Sequence, residues 1–69
     1  MKKFVIVIPA HNEEEIIKET VNTVLNFLRN TKINVDWKVI IAENGSTDGT
    51  IEILKGLQKN KRFSYISLE

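Results

Sequence analysis

The sequence predicts an α/β fold. Its core is a three-stranded parallel sheet in the order 3-2-1, with chain order β-α-β-α-β and two helices on one face. Three observations lead there. Two apolar, β-branched runs, Phe4 to Ile8 and Lys38 to Ala42, each end in a polar turn. Each turn opens a stretch whose apolar residues recur at helical spacing, which is the pattern of a βαβ unit. Runs that are apolar on both sides suit buried parallel strands better than half-exposed ones. A third segment, Phe63 to Leu68, reads as a strand at or near an edge. Parallel crossovers are right-handed in nearly all cases, so two crossovers moving the same way put both helices on one face.

Taken in order, Phe4 to Ile8 is the first strand, and Pro9 is expected to end it for want of a ladder N–H. Asn12 is expected to cap the first helix, with Glu13, Glu14 and Glu15 in its first turn and Glu15 at a capping-box position. That helix runs to about Arg29. Ile17, Val21, Val24, Leu25 and Leu28 form its apolar stripe, and Ile16 and Phe27 widen it. Asn30 to Lys32 ends it. Ile33 to Trp37 is a connection, with Trp37 capping one end of the core. Lys38 to Ala42 is the second strand. In the turn that follows, Gly45 permits a tight backbone, Ser46 or Thr47 is expected to cap the second helix, and Asp48 complements its positive end. The second helix spans about Asp48 to Gln58 and buries Ile51, Leu54 and Leu57, with Ile53 alongside and Gly56 as a weak point.

The 69 residues allow one domain and no more. There is no cysteine, hence no disulfide and no thiolate metal site. A net charge of +1 gives no electrostatic case for nucleic acid or an anionic membrane. Phe4 to Ala10 is the longest apolar run, and it is far too short to span a bilayer. Met1 to Lys3 ahead of it makes a poor secretion signal, because Pro9 to Glu13 is a poor cleavage context. A soluble, cytoplasmic protein is expected. Nothing in the chain is left to cover the second sheet face, so that face is expected to meet a second copy of the chain or the remainder of a longer one.

In open α/β sheets, ligands bind beyond the carboxyl ends of the strands. The candidate residues there are Pro9, Ala10, His11 and Glu13 after the first strand, and Glu43 and Asn44 after the second. Side-chain oxygens of Glu43 and Asn44 can accept hydrogen bonds from a base N–H or a ribose hydroxyl. His11 can stack on a base or lie solvated beside a helix start. Glu13 to Glu15 could suggest a metal or acid–base cluster, but acidic residues in a first turn are favoured by the helix dipole alone. The turn is no P-loop, because it lacks the Gly-Lys-Ser/Thr ending, and no Gly-x-Gly-x-x-Gly follows the first strand.

Phe4 to Glu15 together with Ile40 to Thr50 resembles the opening of family 2 glycosyltransferases of the GT-A fold, the dolichyl-phosphate mannose synthase-like members in particular. The resemblance covers the whole chain but only about the first third of a family member's catalytic domain. It implies the first part of a Rossmann-like domain that binds a UDP- or GDP-linked sugar. It further implies that Pro9 to His11 line the nucleotide pocket, that Glu13 helps shape it, and that Glu43 and Asn44 read the base. The family's usual Asp is replaced by Glu43. The Asp-x-Asp that would hold the diphosphate through Mg²⁺ or Mn²⁺ does not occur, so catalysis by these residues alone is not expected. Two other classes stay open: a dimerising assembly module built on the same unit, and a nucleotide-binding regulator.

Overall fold

The computed structural model describes residues 2–31 and 34–68. In chain order the elements are β1 (Lys2–Ala10), α1 (Ile17–Asn30), β2 (Val35–Asn44), α2 (Thr50–Leu57) and β3 (Phe63–Leu68). The sheet order is β1-β2-β3, and both pairings are parallel. This is the expected architecture and strand order. Lys32 of the expected helix end and Ile33 of the expected connection lie outside the described residues.

The pleat decides which residues meet the helices. Successive strand residues point to opposite faces. Along β2, Trp37, Val39, Ile41 and Glu43 are buried, while Lys38 and Asn44 are exposed and Ile40 and Ala42 half-buried. Trp37, Val39 and Ile41 join Ile17, Val21, Leu25 and Leu28 of α1, Leu54 of α2, and Ala10 and Phe63 in one cluster. Both helices therefore cover the same face. The other face carries Val5 and Val7 of β1 and Ile66 and Leu68 of β3, each about half exposed.

Several boundaries differ from the sequence reading, each for a physical reason. Pro9 does not end β1; it stays in register opposite Ala42. Because β1 is an edge strand, a residue without an N–H can be accommodated there. β2 begins at Val35 rather than Lys38, since its first residues pair with Lys2 and Lys3. Asn12 does not cap α1. The helix starts at Ile17, and its capping residue, Ile16, makes no side-chain cap bond. The first turn is instead set by the Glu13 carbonyl, which accepts from the Ile16 and Ile17 N–H groups. Neither Ser46 nor Thr47 caps α2, whose capping residue is Gly49. Ile16 and Phe27 do not widen the buried stripe of α1, being 51% and 68% exposed. In α2 only Thr50 and Leu54 are fully buried, and Ile51 and Leu57 are half-buried. Trp37 is buried at one end of the core as expected, with the Arg62 guanidinium 4.6 Å above its ring.

Candidate functional site

The site forms where β1 and β2 end side by side, with Ala10 opposite Glu43. From there the two loops turn toward each other. Asn12 adopts a left-handed backbone, φ 49°, which Asn tolerates better than most residues. That turn brings the 12–14 backbone against residues 46–50. The Asn12 N–H donates to Ser46 Oγ (3.0 Å), the Glu13 N–H to Thr50 Oγ1 (2.9 Å), and the Glu14 N–H to Asp48 Oδ2 (3.2 Å). The reverse bonds are as regular. Asn12 Oδ1 accepts from the Thr47 (2.7 Å) and Asp48 (3.3 Å) N–H groups, and Glu14 Oε2 accepts from the Gly49 N–H (3.0 Å). Asp48 Oδ1 takes the Thr50 N–H and hydroxyl.

These bonds define what the loops can do. Every N–H from Ser46 to Thr50 already has a side-chain acceptor within the chain. A helix N-terminus binds phosphate through free N–H groups. The N–H groups of Ser46 to Thr50 are thus already taken, so the 46–50 segment acts as a staple between two strand ends rather than as a phosphate cradle. The same holds for the acidic residues. Glu14 Oε2 and both Asp48 oxygens accept from backbone donors, and Asp48 is held below the usual aspartate range, first by the Thr50 hydroxyl and then by the Thr50 and Glu14 N–H groups. A recess of about 270 Å³ lined by Asn12, Glu13, Glu14, Glu15, Ile16 and Asp48 is too acidic to favour a diphosphate. No three acidic or histidine side chains among the described residues lie close enough to share a metal ion.

Glu43 is fully buried on the helix-covered face. One carboxylate oxygen accepts from the Ser46 N–H, and the other from the Ser67 hydroxyl at 2.7 Å. The Ser67 hydroxyl is the main reason its carboxyl is held below the ordinary glutamate range. The Ser46 hydroxyl and N–H add to this, and burial opposes it. Glu43 thus joins β2, β3 and the Gly45 turn. In that turn Gly45 has φ 63°, and its N–H donates to the Leu68 carbonyl at 3.0 Å.

What faces outward is a smaller set. His11 and Asn44 are exposed neighbours. His11 Nδ1 lies 2.5 Å from the Asn44 carbonyl oxygen, and the His11 N–H points to Glu13 Oε1 at 3.4 Å. Pro9 is exposed and Ala10 buried. Of the residues expected at the site, the structure brings His11, Glu13 and Asn44 together at its surface, with Ala10 and Glu43 beneath. Pro9 lies one residue back along the strand, on the opposite face from Ala10. Sequence reasoning missed the cross-loop partners Ser46, Thr50 and Ser67. It also missed the roles of Asn12 and Glu14. The available signal was that both turns are dense in short acceptor side chains, which bond backbone N–H groups wherever two loops meet.

The model for glycosyl transferase family 2 matches residues 5–69. Among curated proteins, the chain is 40% identical over 57 residues to a UDP-N-acetylglucosamine--dolichyl-phosphate N-acetylglucosaminyltransferase of Methanococcus voltae, covering 83% of this chain and 20% of that protein. It is 36% identical over 59 residues to the abequosyltransferase RfbV of Salmonella typhimurium, covering 86% and 17%. It is 32% identical over 65 residues to the putative teichuronic acid biosynthesis glycosyltransferase TuaG of Bacillus subtilis, covering 93% and 24%. The chain thus spans about a quarter or less of the length of these relatives. No solved structure matches it.

Proposed function

This chain belongs to glycosyl transferase family 2, and on that premise we propose that it forms the base- and ribose-facing part of a nucleotide-sugar site serving sugar transfer to an acceptor. The observation that carries the reading is the pairing of His11 and Asn44 across two strand ends, both exposed, while the surrounding polar groups are occupied by one another. The His11 ring offers a face for the base, and the Asn44 amide offers a donor and an acceptor for its edge. Ala10 lies beneath the site at the strand end, with Pro9 one residue back on the other face, Glu13 accepts from the His11 backbone N–H, and Glu43 holds the turn from below. UDP is the first nucleotide to try, because one relative is named for a UDP-linked donor. That relative is also named for dolichyl phosphate, which favours the dolichyl-phosphate branch of the family. Mg²⁺ or Mn²⁺, if used, belongs with the diphosphate and with residues outside this set.

The test is an ¹⁵N–¹H titration with UDP and then GDP, each with and without Mg²⁺. Saturable shifts at Ala10, His11 and Asn44 that do not require Mg²⁺ support the reading. No shifts at millimolar nucleotide defeat it.

A second reading has its own observation. The sheet face opposite the helices exposes Val5, Val7, Ile66 and Leu68 together, and such a patch favours self-association. A dimer in sedimentation that Val7→Lys abolishes, with no nucleotide shifts, would put assembly first.

A further inference from the structure

Asn12 holds the key to the chemical state of His11. A neutral imidazole has one N–H donor and one bare acceptor nitrogen, and the bonds made by each decide which is which. His11 Nδ1 faces the Asn44 carbonyl oxygen at 2.5 Å. A carbonyl can only accept, so Nδ1 must carry the proton. Nε2 is then bare, and it faces Asn12 Nδ2 at 3.3 Å, a group that can only donate. The Asn12 amide is oriented independently. Its oxygen already accepts from the Thr47 and Asp48 N–H groups, which leaves its NH₂ turned to the histidine. Four bonds within and between the two loops agree on one proton arrangement. The left-handed backbone at Asn12, φ 49°, places its side chain between the ring and the second loop.

We infer that Asn12 is a positioning residue that fixes His11 as the neutral Nδ1–H tautomer, with both ring nitrogens occupied in the ring plane. The inference deepens the nucleotide reading and rests on it for its consequence. With both nitrogens occupied, the ring meets a ligand through its face and not through an N–H or a charge. The ligand group at this position is a flat, π-faced base and not a phosphate oxygen. His11 then adds equally to the binding of a nucleoside, a monophosphate and a diphosphate, because it makes no contact that depends on the phosphates.

The proton arrangement is read in the free chain, apart from any nucleotide. A two-bond ¹H–¹⁵N spectrum of the single histidine separates a protonated ring nitrogen from a bare one, and so reports the tautomer directly. The wild-type chain at neutral pH is expected to show protonated Nδ1 and bare Nε2. Asn12→Gly keeps the left-handed backbone but removes the donor to Nε2, so the Asn44 carbonyl alone holds the ring and a share of the Nε2–H form is expected to appear. A wild-type ring already in the Nε2–H form overturns the inference, as does an Asn12→Gly ring that keeps the wild-type pattern. Failure of nucleotide binding with the expected tautomer present would count against the nucleotide reading and leave the role of Asn12 standing.

Discussion

Two glycines in this chain respond to the same substitution with opposite sign. Gly45 has φ 63°, and a Cβ added there meets nothing within 4 Å. Gly56 lies within α2, and a Cβ there also meets nothing within 4 Å. Packing is therefore equal at the two sites, and only the backbone differs. A non-glycine residue in the left-handed region costs about 1–2 kcal/mol. Alanine inside a helix is better than glycine by roughly 0.5–1 kcal/mol. Gly45→Ala should thus lower stability by about 1–2 kcal/mol, and Gly56→Ala should raise it by about 0.5–1 kcal/mol. For a domain of this size each kcal/mol moves the midpoint by roughly 4–8 °C. The expected changes in Tm are then a fall of roughly 4–16 °C and a rise of roughly 2–8 °C. The Gly45 N–H bond to Leu68 survives in the alanine variant, so no lost hydrogen bond confuses the comparison. Gly45→Asn should recover part of the loss, because Asn enters the left-handed region more easily. Thermal melts followed by far-ultraviolet circular dichroism, with urea titrations to check that the slope is unchanged, provide the readout. A Gly45→Ala midpoint equal to or above wild type would refute the assignment of the turn geometry. A fall for Gly56→Ala would refute the helix.

The remaining expectations concern the carboxylates and the core. Glu43 has its folded pKa lowered, so its contribution to stability is present above the ordinary glutamate value of 4.5 and is lost as pH falls through the folded pKa. Glu43→Gln should melt lower than wild type at pH 7 and lose less on acidification, and an unchanged acid slope in the variant would refute the role given to this carboxylate. Asp48 is lowered in the same sense, so the slope that survives in Glu43→Gln should fall further in the double variant with Asp48→Asn. Leu54 has no exposed surface and anchors α2 to the cluster around Val39 and Ile41. Leu54→Ala should cost about 2–5 kcal/mol, comparable to the whole stability of a small domain, and a variant that still gives a dispersed amide spectrum at 25 °C would show that α2 is not anchored there.

Much of this was legible in the sequence. The apolar runs, the period of α1 and the direction of the crossovers determine the strand order, the parallel pairing and the shared helix face, because each is a short-range or chain-connectivity effect. Gly45 was legible as a turn residue for the same reason. The two strand-end motifs point to the site region and to the family. The tertiary structure decided the division of labour within those motifs. Asn12, read locally, is a helix cap; in the fold it reaches across more than thirty residues to Thr47 and Asp48. Glu43, read locally, is free to face a ligand; in the fold Ser67 arrives from β3 and holds it beneath the turn. Short polar side chains take the nearest unpaired donor or acceptor. Which donor is nearest depends on which loops the sheet register brings together, and no local pattern carries that information.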